Sequence, residues 1–310
     1  MRNLWRPLLL YKRFHKTRRG VGLIPPLLTV LLATLLAGGW AVPAAAQPPG
    51  AAADAPPPAG RYRLPVLPDS ARPGGPLARI TSRRWRLVTA LTPPVTLLAL
   101  GCLTREPRLT GPLDSRFDTH HELQEHYRGF RSPLDDYTRH VPTAAVFGLS
   151  LAGVPARHGL PERVVLFGAA NLLGTGVTSW LKRRVRDGRP YDPMMRSSFP
   201  SYHTTQAFVG ATVLAEEYGG RPGGGWIIAG GYAMATATGV LRLLNNQHWS
   251  SDVLVGAGIG ILSTELVYTV YPVVRRCVLG GRNRPLRALV VPTLPGRGSA
   301  LGVAGVWLLR

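Results

Sequence analysis

Apolar residues gather along this chain in stretches at 87–103, 141–156, 164–181, 204–214, 226–241 and 253–271, separated by polar or Gly- and Pro-containing breaks. Stretches of this length with turn residues between them predict helices, one for each stretch. The first is interrupted by Pro93 and Pro94. Between the first two lies a polar segment, LDSRFDTHHELQEHYRGF, with apolar positions at Leu113, Phe117 and Leu123 and acidic residues near its start. That combination predicts a surface helix whose early carboxylates complement the helix dipole. The run GGRPGGG at 219–225 reads as a turn, and beyond Arg282 two apolar pieces flank a Pro-Gly-Arg-Gly break, as in a hairpin or a loose tail. The expected fold class is all-α, a bundle of about six core helices.

The 310 residues suffice for one large domain plus extensions, and no internal repeat is evident. Hydrophobic residues make up 45% and charged residues 17%, yet the mean hydropathy is only +0.06, so composition leaves membrane embedding open. Part of the net charge of +21 sits at the N-terminus, where Arg2, Arg6, Lys12, Arg13, Lys16, Arg18 and Arg19 have no acidic counterweight. An apolar stretch over 21–42 and the small residues Ala44, Ala45 and Ala46 follow. Basic, apolar and small-residue regions in this order describe a secretory signal, cleaved or retained as an anchor. Residues 1–46 are therefore expected to be the export segment, and the Pro- and Ala-rich 47–80 a linker. Residues 81–280 are expected to be the folded domain and 281–310 the tail. The destination is a bacterial-type cell envelope, with the domain periplasmic or in a membrane facing the periplasm. Cys102 and Cys277 each border an apolar segment and read as buried small hydrophobes, not a disulfide framework.

Three polar clusters carry chemistry. The first, LKRRVRDGRP, places Lys182 and Arg189 seven residues apart, about two helical turns, where both could face one anion before Pro190 ends the helix. In the second, SSFPSYHTTQAF, Pro200 stops one segment and Ser201 is placed to cap the next helix, with His203 in its first turn. Free N–H groups at such a helix start suit phosphate. In the third, TGVLRLLNNQHWSSDVLVG, Asp252 lies one turn after His248 and could hold one imidazole nitrogen, leaving the other as a nucleophile. Arg242 precedes them with a guanidinium fork suited to phosphate oxygens.

The ordered set K-x6-R-P, P-S-x-H and R-x5-H-x3-D resembles the type-2 phosphatidic acid phosphatase (PAP2) and vanadium haloperoxidase superfamily. The resemblance implies a helical bundle of the acid phosphatase/haloperoxidase type and an exported phosphatase acting on a phosphomonoester or diphosphate. A lipid such as phosphatidic acid or a prenyl diphosphate is the expected substrate, or else a small phosphoester. It implies that His248 attacks phosphorus to form a phosphohistidine, that Asp252 orients it and that His203 protonates the leaving group. Lys182, Arg189, Ser201 and Arg242 would bind phosphate oxygens, with neither metal nor cofactor required. Two positions depart from the family pattern: Tyr202 replaces the usual Gly between Ser and His, and Leu241 the usual Ser before Arg. A site at 202 that needed positive φ would be strained by tyrosine.

Those departures motivate an alternative, a non-catalytic member of the envelope, and vanadate-dependent halide oxidation is a further alternative. A nucleic-acid partner is not expected, because export and the lack of a recognition motif oppose it. His120, His121, Glu122 and His126 do not form a clean metal pair, since His121 and His126 are five apart, not four. Trp180, Trp226 and Trp249 lie near the ends of apolar stretches, as an interfacial belt requires.

Overall fold

A computed structural model of the chain describes residues 76–106, 115–279, 288–293 and 302–307. The expected export segment, 1–46, and the linker up to residue 75 lie outside the described residues. The elements in chain order are α1 (Pro76–Arg105), α2 (Arg116–His126), α3 (Leu134–Thr138), α4 (Val141–Leu151) and α5 (Leu160–Val185). They continue with α6 (Tyr202–Tyr218), α7 (Gly224–Leu244), α8 (Ser250–Leu279), β1 (Ala288–Thr293) and β2 (Gly302–Trp307). The six apolar stretches became α1, α4, α5, α6, α7 and α8, and the polar segment became α2. The short α3 was not foreseen. β1 and β2 pair antiparallel, with Ala288 opposite Trp307, outside the all-helical core.

Local sequence explains the starts. Ser115 caps α2 by accepting from Asp118 N–H, and the Asp118 carboxylate accepts in return from Ser115 N–H at 2.9 Å, a complete capping box. α1 begins at Pro76, earlier than the expected domain boundary, because proline suits the first helical position, where its missing N–H costs no bond. It runs on through Pro93 and Pro94, which helices in a lipid setting tolerate when their neighbours re-satisfy the freed backbone groups.

α6 is the central helix: most of its residues are buried, at Thr204 and Thr205, from Ala207 through Leu214, and again at Glu217 and Tyr218. α8 lies against it, joining Phe208, Ala211, Leu254, Ala257 and Ile261 in one core cluster with Leu97 of α1. The approach is close because α8 presents glycine to both neighbours. A Cβ on Gly256 would lie 2.7 Å from Ser201 O, one on Gly260 2.6 Å from Thr205 O, and one on Gly258 2.9 Å from Pro94 O. Small residues four apart let backbones pack directly, the usual device where water does not drive helices together. At the end of α6 away from Ser201, buried Glu217 accepts from Tyr268 Oη at 2.7 Å and from His158 N–H at 2.9 Å. Arg163 beside it donates to Ser150 Oγ at 2.8 Å. This network joins α4, α5, α6 and α8.

Four helical segments, Val88–Arg105, Leu160–Val185, Gly224–Leu244 and Ser250–Cys277, are long and apolar enough to cross a membrane. Their outward faces are apolar: Val88, Leu91 and Val95 on α1, Leu172 and Val177 on α5, and Leu266, Val270, Val273 and Val274 on α8 are exposed. A shallow groove of about 530 Å³ on the α5 face, lined by Leu172, Leu173, Val177 and Trp180, belongs to the same apolar exterior. This is the pattern of a helical membrane protein, in which such faces meet acyl chains. Cys102 and Cys277 are exposed, contrary to the sequence expectation. A lipid-facing helix accepts a small hydrophobe as readily as a core does. Trp180 (52% exposed) and Trp226 (82%) stand at opposite ends of the bundle, whereas Trp249 is packed inward.

The glycine seam generates a stability prediction. Gly260→Val should lower the thermal unfolding midpoint in detergent, since overpacking typically costs about 1–3 kcal/mol and the facing atoms here are backbone. Gly168→Ala in α5, where an added Cβ meets nothing, should leave the midpoint unchanged or raise it.

Candidate active site

The C-terminal ends of α5 and α7 and the N-terminal ends of α6 and α8 converge at one end of the bundle. α5 stops at Val185 and Arg186 takes the left-handed conformation at φ 48°. Lys182 is thus in the last turn of α5, and Arg189 is outside the helix, in the loop that follows. The two do not share a helical face, and Pro190 is not what ends the helix. The loop folds back instead: Ser198 N–H donates to Asp187 O at 3.0 Å, and Lys182 Nζ donates to Ser197 O at 2.7 Å and Ser198 O at 3.0 Å. Arg189 Nη1 donates to Gln247 Oε1 at 2.7 Å, which brings it beside the third motif.

Ser201 is the N-cap of α6, with φ −75° and ψ 115°, and accepts from Thr204 N–H and, at 2.9 Å, from Thr204 Oγ1. Its own N–H donates to Asp252 O at 3.0 Å, fastening α6 to α8. Tyr202 is the first residue of α6 and does not adopt positive φ, so the strain its ring would bring in a left-handed position does not arise.

His248 lies just before α8 and is buried, as is Asp252. His248 Nδ1 donates to Asp252 Oδ2 at 3.3 Å, and the same oxygen accepts from Trp249 N–H at 3.1 Å and from Ser198 Oγ. An acid at the third position of a helix reaching back to its cap is half of a capping box. The local rule that starts α8 therefore also fixes the imidazole, leaving Nε2 without a hydrogen bond among the described residues. Arg242 is buried and its Nη1 pairs with Asp135 Oδ2 at 2.5 Å. Lys182, Arg189 and Arg242 are close enough to oppose one another's charge, with Asp252 the carboxylate that attracts Lys182. Arg189 Nε and Arg242 Nε are buried and have no hydrogen-bond partner among the described residues.

The structure thus gathers all seven residues singled out in the sequence, and adds several that the sequence did not indicate. Asp135 also accepts from Asn245 Nδ2 at 3.0 Å. Asp136 Oδ1 lies 2.7 Å from His203 Nε2, and Arg139 Nη1 lies 3.1 Å from the same nitrogen. Asp135, Asp136 and His203 form a cluster with metal-ligand atom types, but Arg242 and Arg139 already face it, an unfavourable setting for a cation. α2 lies over the site: the Phe117 and His120 rings pack on Trp249, and His120 Nε2 is 2.7 Å from Asn246 Oδ1. Arg116 pairs with Asp187 and stacks over Trp249. His121 and His126 are engaged within α2, by Glu125 and by Glu122 O.

Burial, together with the positive charge of Arg242 and Lys182, pushes His248 down to about 4, against the opposing pull of Asp252. Burial and Arg242 push His203 down to about 4 as well, with Asp136 opposing. His248 is thus neutral at neutral pH, as a nitrogen nucleophile requires, whereas His203 must take up a proton when an anion enters the site before it can act as an acid.

Residues 163–276 match the PAP2 superfamily, and this span contains all three motifs and the histidine pair. That segment is similar to the PAP2 superfamily. A curated relative, a lipid A 1-phosphatase of Porphyromonas gingivalis, is 34% identical over 148 residues, 47% of this chain and 33% of the relative. The chain therefore spans about a third of that relative's length. LpxE of Aquifex aeolicus aligns over 48% of this chain and 93% of its own, with 24% identity and a TM-score of 0.36. A transmembrane PAP2-type phosphatidylglycerolphosphate phosphatase of Bacillus subtilis aligns over 59% of this chain and 98% of its own, with 20% identity and a TM-score of 0.38.

The two depressed histidines predict a pH signature. Their neutral forms favour the folded state fully above the ordinary value of 6.5, an advantage lost as pH falls through about 4. The unfolding midpoint should accordingly drop between pH 6.5 and 4. In histidine-labelled protein, the His203 and His248 resonances should titrate near 4 and not near 6.5.

Proposed function

We propose that this protein is a membrane phosphatase that removes a phosphate from a phosphorylated lipid, a monoester or diphosphate, through a phosphohistidine on His248. The observation that carries this reading is the convergence of three cations, Lys182, Arg189 and Arg242, beside a histidine held by Asp252. Cations this close disfavour one another, and an anion among them relieves that opposition. A phosphate group would accept from both guanidinium groups, from Lys182 and from the free N–H groups at the start of α6. Those groups would then stabilise the charge of the five-coordinate transition state.

In the first step His248 Nε2 bonds to phosphorus while the bond from phosphorus to the leaving oxygen breaks, and His203, protonated once the bound phosphate offsets Arg242 and Arg139, supplies that oxygen's proton. In the second, water attacks phosphorus and gives a proton to His203. The nitrogen–phosphorus bond breaks, returning neutral His248 and inorganic phosphate. Asp252 holds the imidazole in one tautomer throughout. The lipid class is supported by the apolar exterior of the bundle and by the relative's own name. We place the site on the periplasmic side of the membrane, in keeping with 1–46 as an export segment or anchor, 47–80 as a linker and 81–280 as the phosphatase domain.

The decisive measurement is metal-free phosphate release from phosphatidic acid, a prenyl diphosphate, a lipid A 1-phosphate and p-nitrophenyl phosphate. His248→Ala should reduce release to background, and His203→Ala should lower it by about 10²–10⁴-fold on lipid substrates. A wild-type protein as inactive as His248→Ala on every substrate would instead favour a non-catalytic role.

A further inference from the structure

Both histidines of the site have a carboxylate partner, but only that of His248 belongs to the three motifs. His203 Nε2 lies 2.7 Å from Asp136 Oδ1, and Asp136 is on α3, outside the segment that matches the superfamily. Its neighbour Asp135 binds Arg242 and Asn245, and Asn245 Nδ2 also donates to Ser132 O at 2.7 Å. This five-residue helix is thus anchored through one acid to a phosphate-binding arginine and through the next to the second histidine. Nδ1 of His203 makes no hydrogen bond among the described residues.

Resting on the phosphatase reading, we propose that Asp136 is a positioning residue that fixes His203 through Nε2, so that Nδ1 is the nitrogen that delivers the proton to the leaving oxygen. The arrangement repeats the logic of the His248–Asp252 pair with the two ring nitrogens exchanged. The charged groups facing His203 are Arg242 from α7, Asp136 from α3, and Arg139 from the turn before α4. Arg139 in turn donates to His140 Nε2 at 3.0 Å. Arg242 and Arg139 disfavour an imidazolium and Asp136 favours it. When the Nδ1 proton leaves, Nε2–H stays with Asp136, so the ring keeps one orientation through both steps. When Nε2 instead lacks its proton, the same nitrogen accepts from Arg139, and the ring cannot serve as the acid. Asp136 therefore selects the productive tautomer.

The test separates this role from a structural one by leaving group. An alkyl phosphate needs its leaving oxygen protonated, whereas p-nitrophenolate leaves readily without help. Asp136→Asn should lower kcat on an alkyl or lipid phosphate by about tenfold or more while changing it little on p-nitrophenyl phosphate. It should also move the alkaline limb of the alkyl-phosphate profile to lower pH, because the group that favours protonated His203 is gone. Asp136→Glu should recover part of the loss. Asp136 is largely exposed, with a side chain 59% accessible, so neither variant should disturb folding. Equal losses on both substrates, or an unmoved alkaline limb, would overturn the assignment while leaving the phosphatase reading intact. If the wild type and His248→Ala release no phosphate from either substrate, the phosphatase reading falls and this assignment falls with it.

Discussion

The carboxylate of Asp252 is the constraint on which the rest of the site depends. One of its oxygens accepts from the His248 ring, from the Trp249 backbone and from the Ser198 hydroxyl, and its main-chain carbonyl accepts from Ser201 N–H. Those four donors come from the loop before α6, the cap of α6 and the start of α8. A charge removed from water is tolerated only when its lone pairs are filled, so the three segments cannot separate without exposing an uncompensated ion in an apolar setting. The same demand explains the folded-back loop after α5, whose carbonyls at Ser197 and Ser198 take Lys182. The geometry of the site and the path of the chain are thus set by one electrostatic requirement.

Around this polar end the bundle is built by close backbone contact. Glycines of α8 face both α6 and α1, and the consequence is a rigid seam directly below Ser201 and Asp252. The opposite end is closed by the Glu217 network with His158, Arg163 and Tyr268. α6 is therefore held at both ends by buried ionic groups and along its length by small-residue packing. Its N-terminus, with the N–H groups suited to an anion, has little freedom to shift.

Much of this was legible in the sequence, for identifiable reasons. Six apolar stretches gave six helices because length and breaks dominate that signal, and Ser201 and Asp252 were readable because capping is local. Lys182 and Arg189 were brought to one site, but not by the helical face assumed for them. The end of α5 is set by a loop folding back onto Lys182, a tertiary effect that spacing does not encode. Asp135, Asp136 and Arg139 were invisible because they lie more than sixty residues before their partners, Asp136 and Arg139 being 67 and 64 residues from His203. Only the unusual pair of adjacent acids in a basic chain could have marked them. The exposed cysteines were misplaced because a lipid-facing surface and a protein core have the same composition.

Trp180 and Trp226 stand at opposite ends of the bundle, and Trp180 shares the final turns of α5 with Lys182. Tryptophan settles at the boundary between acyl chains and head groups, which would set the phosphate site at the depth where lipid head groups already lie. A lipid substrate would then reach His248 by sliding sideways in its own leaflet, with its tails never leaving hydrocarbon. Encounter would be two-dimensional, governed by the mole fraction of the phosphorylated lipid in the bilayer and not by its concentration in water.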